Sequence, residues 1–224
     1  MSIWWFLWFI LSAILLGATV WSLVILFRQK KAWAAYAKRK SLAFTKGDFS
    51  APCEMEGSTE GFHVSFFTGT QQKEDSRKNR KLTVMQLTLP KPFINALGAG
   101  TAEMLPFLNS LTEISPHALE TDKWNSKENH LFSKNKQAVD KFLTEERIKI
   151  LNNILSVKNS DNLVLLEEEQ GVFRFETSNP MTDVETIDKL VSKLMASIKK
   201  LVPSAEELKE LQSLYSDEEK EKNK

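Results

Sequence analysis

The chain opens on 25 consecutive uncharged, mostly apolar residues, Ile3–Phe27; beyond them apolar positions recur with the periods of strands and helices. About 20 apolar residues at 1.5 Å rise each cross ~30 Å of hydrocarbon, so this run predicts a transmembrane helix with some tilt or overhang. A cleaved secretory signal has a basic segment ahead of an apolar core of about 7–15 residues. Here only Met1 and Ser2 precede the run, and Ala32-Trp33-Ala34, which mimics a cleavage motif, follows Arg28, Lys30 and Lys31. An uncleaved anchor is the reading. Residues 28–41 then read as a basic juxtamembrane helix continuing out of the bilayer, with Trp33 and Tyr36 three apart.

Residues 42–202 are of a size to form one domain with its own core. Cys53–Gly57 and Gly61–Gly69 read as strands joined by a short polar turn through Ser58, Thr59 and Glu60. In the second, Phe62, Val64 and Phe66 alternate with His63, Ser65 and Phe67. Lys81–Leu89 is a third strand, with Met85, Leu87 and Leu89 on one face and Pro90 and Pro92 stopping it. Phe93–Leu111, interrupted by Gly98 and Gly100, reads as a short helix and loop, and Glu113–Asp122 as a further strand.

Lys136–Leu143 reads as helical. Thr144 caps a second helix whose first turn holds Glu145 and Glu146 and whose stripe is Ile148, Leu151, Ile154 and Leu155. Asn162–Glu167 and Val172–Thr177 form a hairpin across Glu168-Glu169-Gln170-Gly171. Thr182-x-x-Glu185 predicts a capping box opening a long amphipathic helix with Ile187, Leu190, Val191, Leu194, Ile198 and Leu201 on one side. Pro203 ends it. Ser204-x-x-Glu207 caps a short amphipathic helix over 203–215, whose Leu208, Leu211 and Leu214 either pack back on the domain or dock into a partner groove. Residues 216–224 form a charged tail expected to be disordered. Antiparallel hairpins with interspersed helices give an α+β fold: a transmembrane helix followed by a single antiparallel-sheet domain with packed helices.

All 30 basic and 29 acidic residues lie beyond Phe27. Arg28, Lys30, Lys31, Lys38, Arg39 and Lys40 follow the span with no acid before Asp48, and Trp4, Trp5 and Trp8 crowd its other end. Basic flanks stay cytoplasmic and indole rings suit the headgroup level. The expected location is therefore the inner (plasma) membrane, single-pass, N-terminus outside and domain in the cytoplasm. The same six basic residues are candidates for juxtamembrane lipid contact, against the plainer reading of an ordinary stop-transfer flank. Lys73, Arg77, Lys78, Arg80 and Lys81, in the polar connection Gln71–Lys81, are candidates for contact with an anionic surface, against that of a solvated hairpin loop. Within the span, Ala13 and Gly17, and Ala18 and Ser22, are small pairs four apart that suit a homodimer. The span holds no ionisable residue, so it carries no proton relay or ion path of its own.

A formal net charge of +1 argues against a nucleic-acid binder, and one cysteine excludes an internal disulfide framework or a multi-cysteine zinc site. Cys53 with His63 is the nearest thiol–imidazole pair. A nucleophilic thiol needs a supporting base, whereas Glu54 and Glu56 would raise this one, so Cys53 reads as structural. His63, His117 and His130 lack metal-ligand spacing. Gly98-Ala99-Gly100-Thr101 lacks the third glycine of a dinucleotide turn and the Gly-Lys-Ser/Thr of a phosphate loop, and reads as a turn or flexible loop. No nucleophile elbow, zinc-protease helix or kinase set occurs. Trp124 reads as a core plug in preference to an interface anchor. No catalytic, cofactor-binding or metal residue is therefore assigned, and no cofactor is expected.

The Gly61-Phe62-His63-Val64 strand, the Lys81–Leu89 strand ending in Pro90, the Phe142-Leu143-Thr144-Glu145-Glu146-Arg147 helix start, the late hairpin and the terminal amphipathic helix together carry a resemblance. In layout the chain resembles uncharacterised single-span bacterial inner-membrane proteins with a cytoplasmic α+β domain. That resemblance implies a bacterial source and brings no reaction with it. The expected function is a membrane-anchored, non-enzymatic interaction or scaffold module with a protein partner or the membrane surface. The alternative is an enzyme of unrecognised type acting on lipid-linked or nucleotide substrates at the membrane.

Overall fold

A computed structural model describes residues 3–48, 51–72, 79–89, 96–112, 114–119, 121–156, 161–167 and 171–211. Its first element, α1 (Ile3–Lys40), is a single helix of 38 residues, about 57 Å long at 1.5 Å per residue. The apolar run and the basic segment are not two helices in series, because nothing between Phe27 and Arg28 interrupts the backbone ladder. The helix ends where Ser41 turns into the left-handed region at φ 57° and Leu42 N–H donates to the Ala37 carbonyl at 2.9 Å. This is a Schellman closure, completed by the buried Leu42 side chain. Lys38, Arg39 and Lys40 in the last turn suit its negative dipole end.

Among the described residues nine antiparallel-paired strands follow in the order β1-β2-β3-β4-β9-β8-β5-β7-β6. They are β1 (Ala43–Thr45), β2 (Glu54–Thr59), β3 (Phe62–Gln72), β4 (Asn79–Thr88), β5 (Leu97–Thr101), β6 (Ser115–His117), β7 (Asn129–Ser133), β8 (Asn162–Glu167) and β9 (Val172–Thr177). A two-residue turn joins β2 to β3, with Glu60 (φ 51°) and Gly61 (φ 86°) both left-handed, the geometry that matches strand twist. Hairpin β3–β4 is paired from His63↔Thr88 out to Gln72↔Asn79. Both outer strands have three residues, and one of them carries Pro116.

Helices cover both faces. The larger apolar layer joins Phe62, Val64, Phe66, Met85, Leu87, Phe173 and Phe175 to the lower part of α1 and to α3 (Lys136–Phe142), α4 (Glu145–Leu155) and α5 (Val184–Leu201). On the other face α2 (Leu105–Ser110) and the short 3-10 turn before it press Met104 and Leu108 on Leu82, Val84, Phe132, Leu163 and Leu165. β4 is thus buried on both sides, and the chain is α+β as expected.

Two local expectations are corrected, and one open alternative is settled. Leu97–Thr101 is an interior strand between β7 and β8, not a loop. Its glycines are there for close approach: a Cβ on Gly98 would sit 2.8 Å from Leu108 Cδ2 and 2.9 Å from Ile114 Cδ1, so α2 rests directly on the strand backbone. The cap of α5 is Asp183, one residue beyond Thr182; its carboxylate accepts Thr186 N–H at 2.8 Å. The short terminal helix, described over 205–211, packs back on the domain and buries Leu211. Its capping box is reciprocal, Ser204 N–H donating to Glu207 Oε2 at 2.8 Å and Glu207 N–H to Ser204 Oγ at 3.2 Å.

Candidate functional site at the root of the first helix

Helical spacing decides which side of α1 meets the sheet. Gln29, Trp33, Tyr36 and Ala37 recur at four, three and one residues, on one side, and all are buried. Trp33 (0% exposed) and Tyr36 (1%) are among the largest fully buried side chains, and both rings meet Phe66 edge-on, at 6.1 and 6.3 Å between centroids. Burial pushes the Tyr36 hydroxyl up to about 12, with nearby Asp188 adding to the rise. The C-terminal third of the helix is therefore part of the domain core, and the boundary expected between 28–41 and 42–202 does not exist as a packing boundary.

The six basic residues of this segment divide into two sets. Lys30, 5% exposed, is turned inward and its ammonium donates to the Asp48 carbonyl at 2.6 Å. Arg39 pairs with Glu185 at 3.1 Å and Asp188 at 3.6 Å, and Lys40 with Asp188 at 2.8 Å. These three side chains bind the helix to its own domain, because the helix face they flank lies against the sheet and α5. Arg28, Lys31 and Lys38 are exposed. Of the second basic set, Lys73, Arg77 and Lys78 lie outside the described residues, Arg80 is in β4, and Lys81 is exposed on β4.

The ion pairs between α1 and α5 have a pH signature. The Asp188 carboxyl is held below the usual carboxylate range, chiefly by the hydrogen bond from Lys40, with burial opposing and the charges of Lys40 and Arg39 assisting. A carboxylate lowered in the folded state stabilises the fold above its unfolded value of roughly 3.9, and that contribution disappears as pH falls through the folded value. Thermal midpoints recorded below pH ~4 should accordingly fall more steeply in the wild type than in Asp188→Asn. Parallel curves would mean that the pairs add nothing to stability.

Above the buried stripe the same side of α1 continues as Ser22, Ile25 and Leu26, which with Gln29 form one wall of a groove of about 140 Å³. The opposite wall comes from the β3–β4 hairpin through Thr68, Lys81, Leu82 and Thr83. Thr83 Oγ1 donates to the Asn179 carbonyl at 2.7 Å. Thr68 Oγ1 is buried and has no hydrogen-bond partner among the described residues. The sequence singled out Lys81 as a candidate contact, but not the groove it lines, because that requires the hairpin to lie along the helix.

Cys53, His117 and Trp124 are committed to structure. Cys53 is fully buried and its thiol is pushed up to about 11, burial being the main cause, which suits a packing role. His117 is buried with Nε2 at 2.8 Å from Asp140 Oδ1, whereas His63 on β3 is exposed and His130 lies on β7. Trp124 is in the core. Among the described residues no three of His, Cys, Asp and Glu gather as a metal site. An open polar cleft of about 480 Å³ lies beside α4 and β7. Its amides serve as struts, Asn129 Nδ2 to Asn152 Oδ1 at 3.1 Å and Asn152 Nδ2 to the Lys123 carbonyl at 2.8 Å.

No protein-family model and no curated protein matches the chain. Among solved structures it is similar to the crystal structure of the mycobacterial trehalose monomycolate transport factor A, with a TM-score of 0.52 and 11% sequence identity, covering 79% of this chain and 98% of that one. At that identity the likeness is one of fold.

Proposed function

We propose that the chain is a single-pass inner-membrane protein whose cytoplasmic α+β domain is a non-enzymatic accessory or interaction module, held against the membrane face and working with a protein partner. The observation that carries this reading is the shared use of α1. One helix supplies an apolar segment long enough to cross a bilayer and, without a break, the Trp33–Tyr36 wedge of the domain core. A flexible tether would let the domain roam, whereas this one fixes its height and orientation at the bilayer surface. The fold likeness to a transport factor agrees with an accessory role. So does the local chemistry, in which the Cys53 thiol is buried and protonated and His117 is bonded to Asp140.

The orientation follows from Arg28, Lys31 and the other basic residues after the span. The test uses the full chain tagged at its C-terminus in its native host. The tag should resist protease in intact cells, and a protein should co-purify in stoichiometric amount after light crosslinking in mild detergent. Alanine at Cys53, His63, His117 and His130 should leave that association and the cellular role intact. Loss of the role with the fold preserved would sink the non-enzymatic reading.

A further inference from the structure

Ser22, Ile25 and Leu26 belong to the uncharged run that precedes Arg28, yet they face the β3–β4 hairpin across the groove. The hairpin runs along α1 toward the span: Phe66 meets Trp33 and Tyr36, and Thr68, two residues farther along β3, lines the groove with Ser22. With α1 crossing a bilayer, as the reading above holds, Arg28 and Lys31 stand at the headgroup level and the groove lies beside the last turns of the span, at the inner leaflet's boundary.

Its lining is two-sided in chemistry. Ile25 and Leu26 are apolar, Lys81 brings an ammonium group, and Thr68 brings a buried hydroxyl without a partner among the described residues, a group that costs free energy until something pairs with it. A cavity of roughly 150 Å³ takes a six-carbon ring, so this one admits a glycerol region and the first methylenes of a chain while the rest stays in the bilayer. We propose that the groove holds one anionic glycerophospholipid of the cytoplasmic leaflet, its phosphate on Lys81, a polar oxygen of its glycerol region on the Thr68 hydroxyl, and an acyl chain against Ile25 and Leu26. The occupant is anionic because the polar end of the groove is cationic, and a lipid because the apolar wall, Ile25 and Leu26, is itself the last stretch of the uncharged span.

The experiment uses the full-length chain delipidated in a neutral detergent and titrated with phosphatidylglycerol, phosphatidylcholine of the same chains, or inorganic phosphate, with bound molecules counted by native mass spectrometry. The expected result is one retained phosphatidylglycerol per chain and no retained phosphatidylcholine at equal concentration. Lys81→Glu should weaken retention by about fivefold or more, from the loss of one basic contact at an anionic group. Ile25→Trp, which fills the groove from the helix side, should abolish it. Circular dichroism melts unchanged from the wild type would show that both variants fold. Equal retention of the two lipids, wild-type retention by both variants, or displacement of the lipid by inorganic phosphate alone would overturn the proposal. Failure of the anchor reading is seen separately, as release of the chain from membranes by an alkaline wash without detergent.

Discussion

Trp33→Ala is expected to lower the stability of the domain by about 3–5 kcal/mol, the range for truncating a large aromatic in a core that relaxes only partly. Trp33 is fully buried, touches Phe66 and lies between the sheet and α5 in the larger apolar layer. Its loss removes the main wedge joining helix to sheet, leaving Tyr36, Ala37 and the exposed ion pairs to Glu185 and Asp188. A second signature separates this from generic destabilisation: proteolysis between Lys30 and Lys40 should become fast while the remaining domain stays protected. Trp33→Phe should recover most of the loss, because the indole N–H makes no hydrogen bond among the described residues. Chemical denaturation of the full chain in detergent, followed by circular dichroism, reads the first effect. A Trp33→Ala cost under 1 kcal/mol would mean that the helix is not part of the core.

The second large effect is expected at Arg147. Its guanidinium donates to the Phe142 carbonyl at 2.9 Å, the Lys200 carbonyl at 3.5 Å and Glu207 Oε2 at 3.0 Å, and stacks over the Phe142 ring at 4.5 Å. One side chain thus ties the end of α3 and the start of α4 to the end of α5 and the terminal helix. Arg147→Ala removes one of two donors to the buried Phe142 carbonyl, which keeps Thr144 N–H at 2.9 Å, and removes the stacking contact, for an expected loss of about 1–3 kcal/mol. Most of that belongs to the carbonyl and the ring, since Glu207 is 41% exposed and its ion pair is screened. Arg147→Lys, which keeps the charge but not the planar fork, should recover less than half. Full recovery by lysine in a denaturation series would reassign the effect to charge.

The elements that were legible in the sequence are those whose burial is written in their own period. In β3, Phe62, Val64 and Phe66 are buried on one side with His63 exposed on the other, and in α5 Ile187, Val191, Leu194, Ile198 and Leu201 are all buried. β5 was not legible because its inner positions are glycines chosen for what lies above them, and Leu108 and Met104 come from a later segment. β7 is illegible for a related reason: Asn129-His130-Leu131-Phe132-Ser133 has neither alternation nor turn signals, and pairing with Leu97–Thr101 on one side and Ser115–His117 on the other makes it a strand. The site was half legible. The basic residues flanking the span stand out by charge, but which of them turn inward depends on Asp48, Glu185 and Asp188, brought there by the fold. Lys30 carries no local mark of its burial.

A helix that is rigid from the span to the core also fixes an azimuth. Ala13 lies 16 residues before Gln29, so at 3.6 residues per turn it points about 160° away from the side that meets the sheet. Ser22, by contrast, lines the groove and is turned toward the domain. Of the two small-residue pairs in the span, Ala18 and Ser22 are thus under the chain's own domain, and Ala13 and Gly17 face open bilayer. Two copies joined through Ala13 and Gly17 would hold their sheets on opposite flanks of the pair, grooves pointing outward, and twisting one span against the other would swing both domains like vanes on a common shaft.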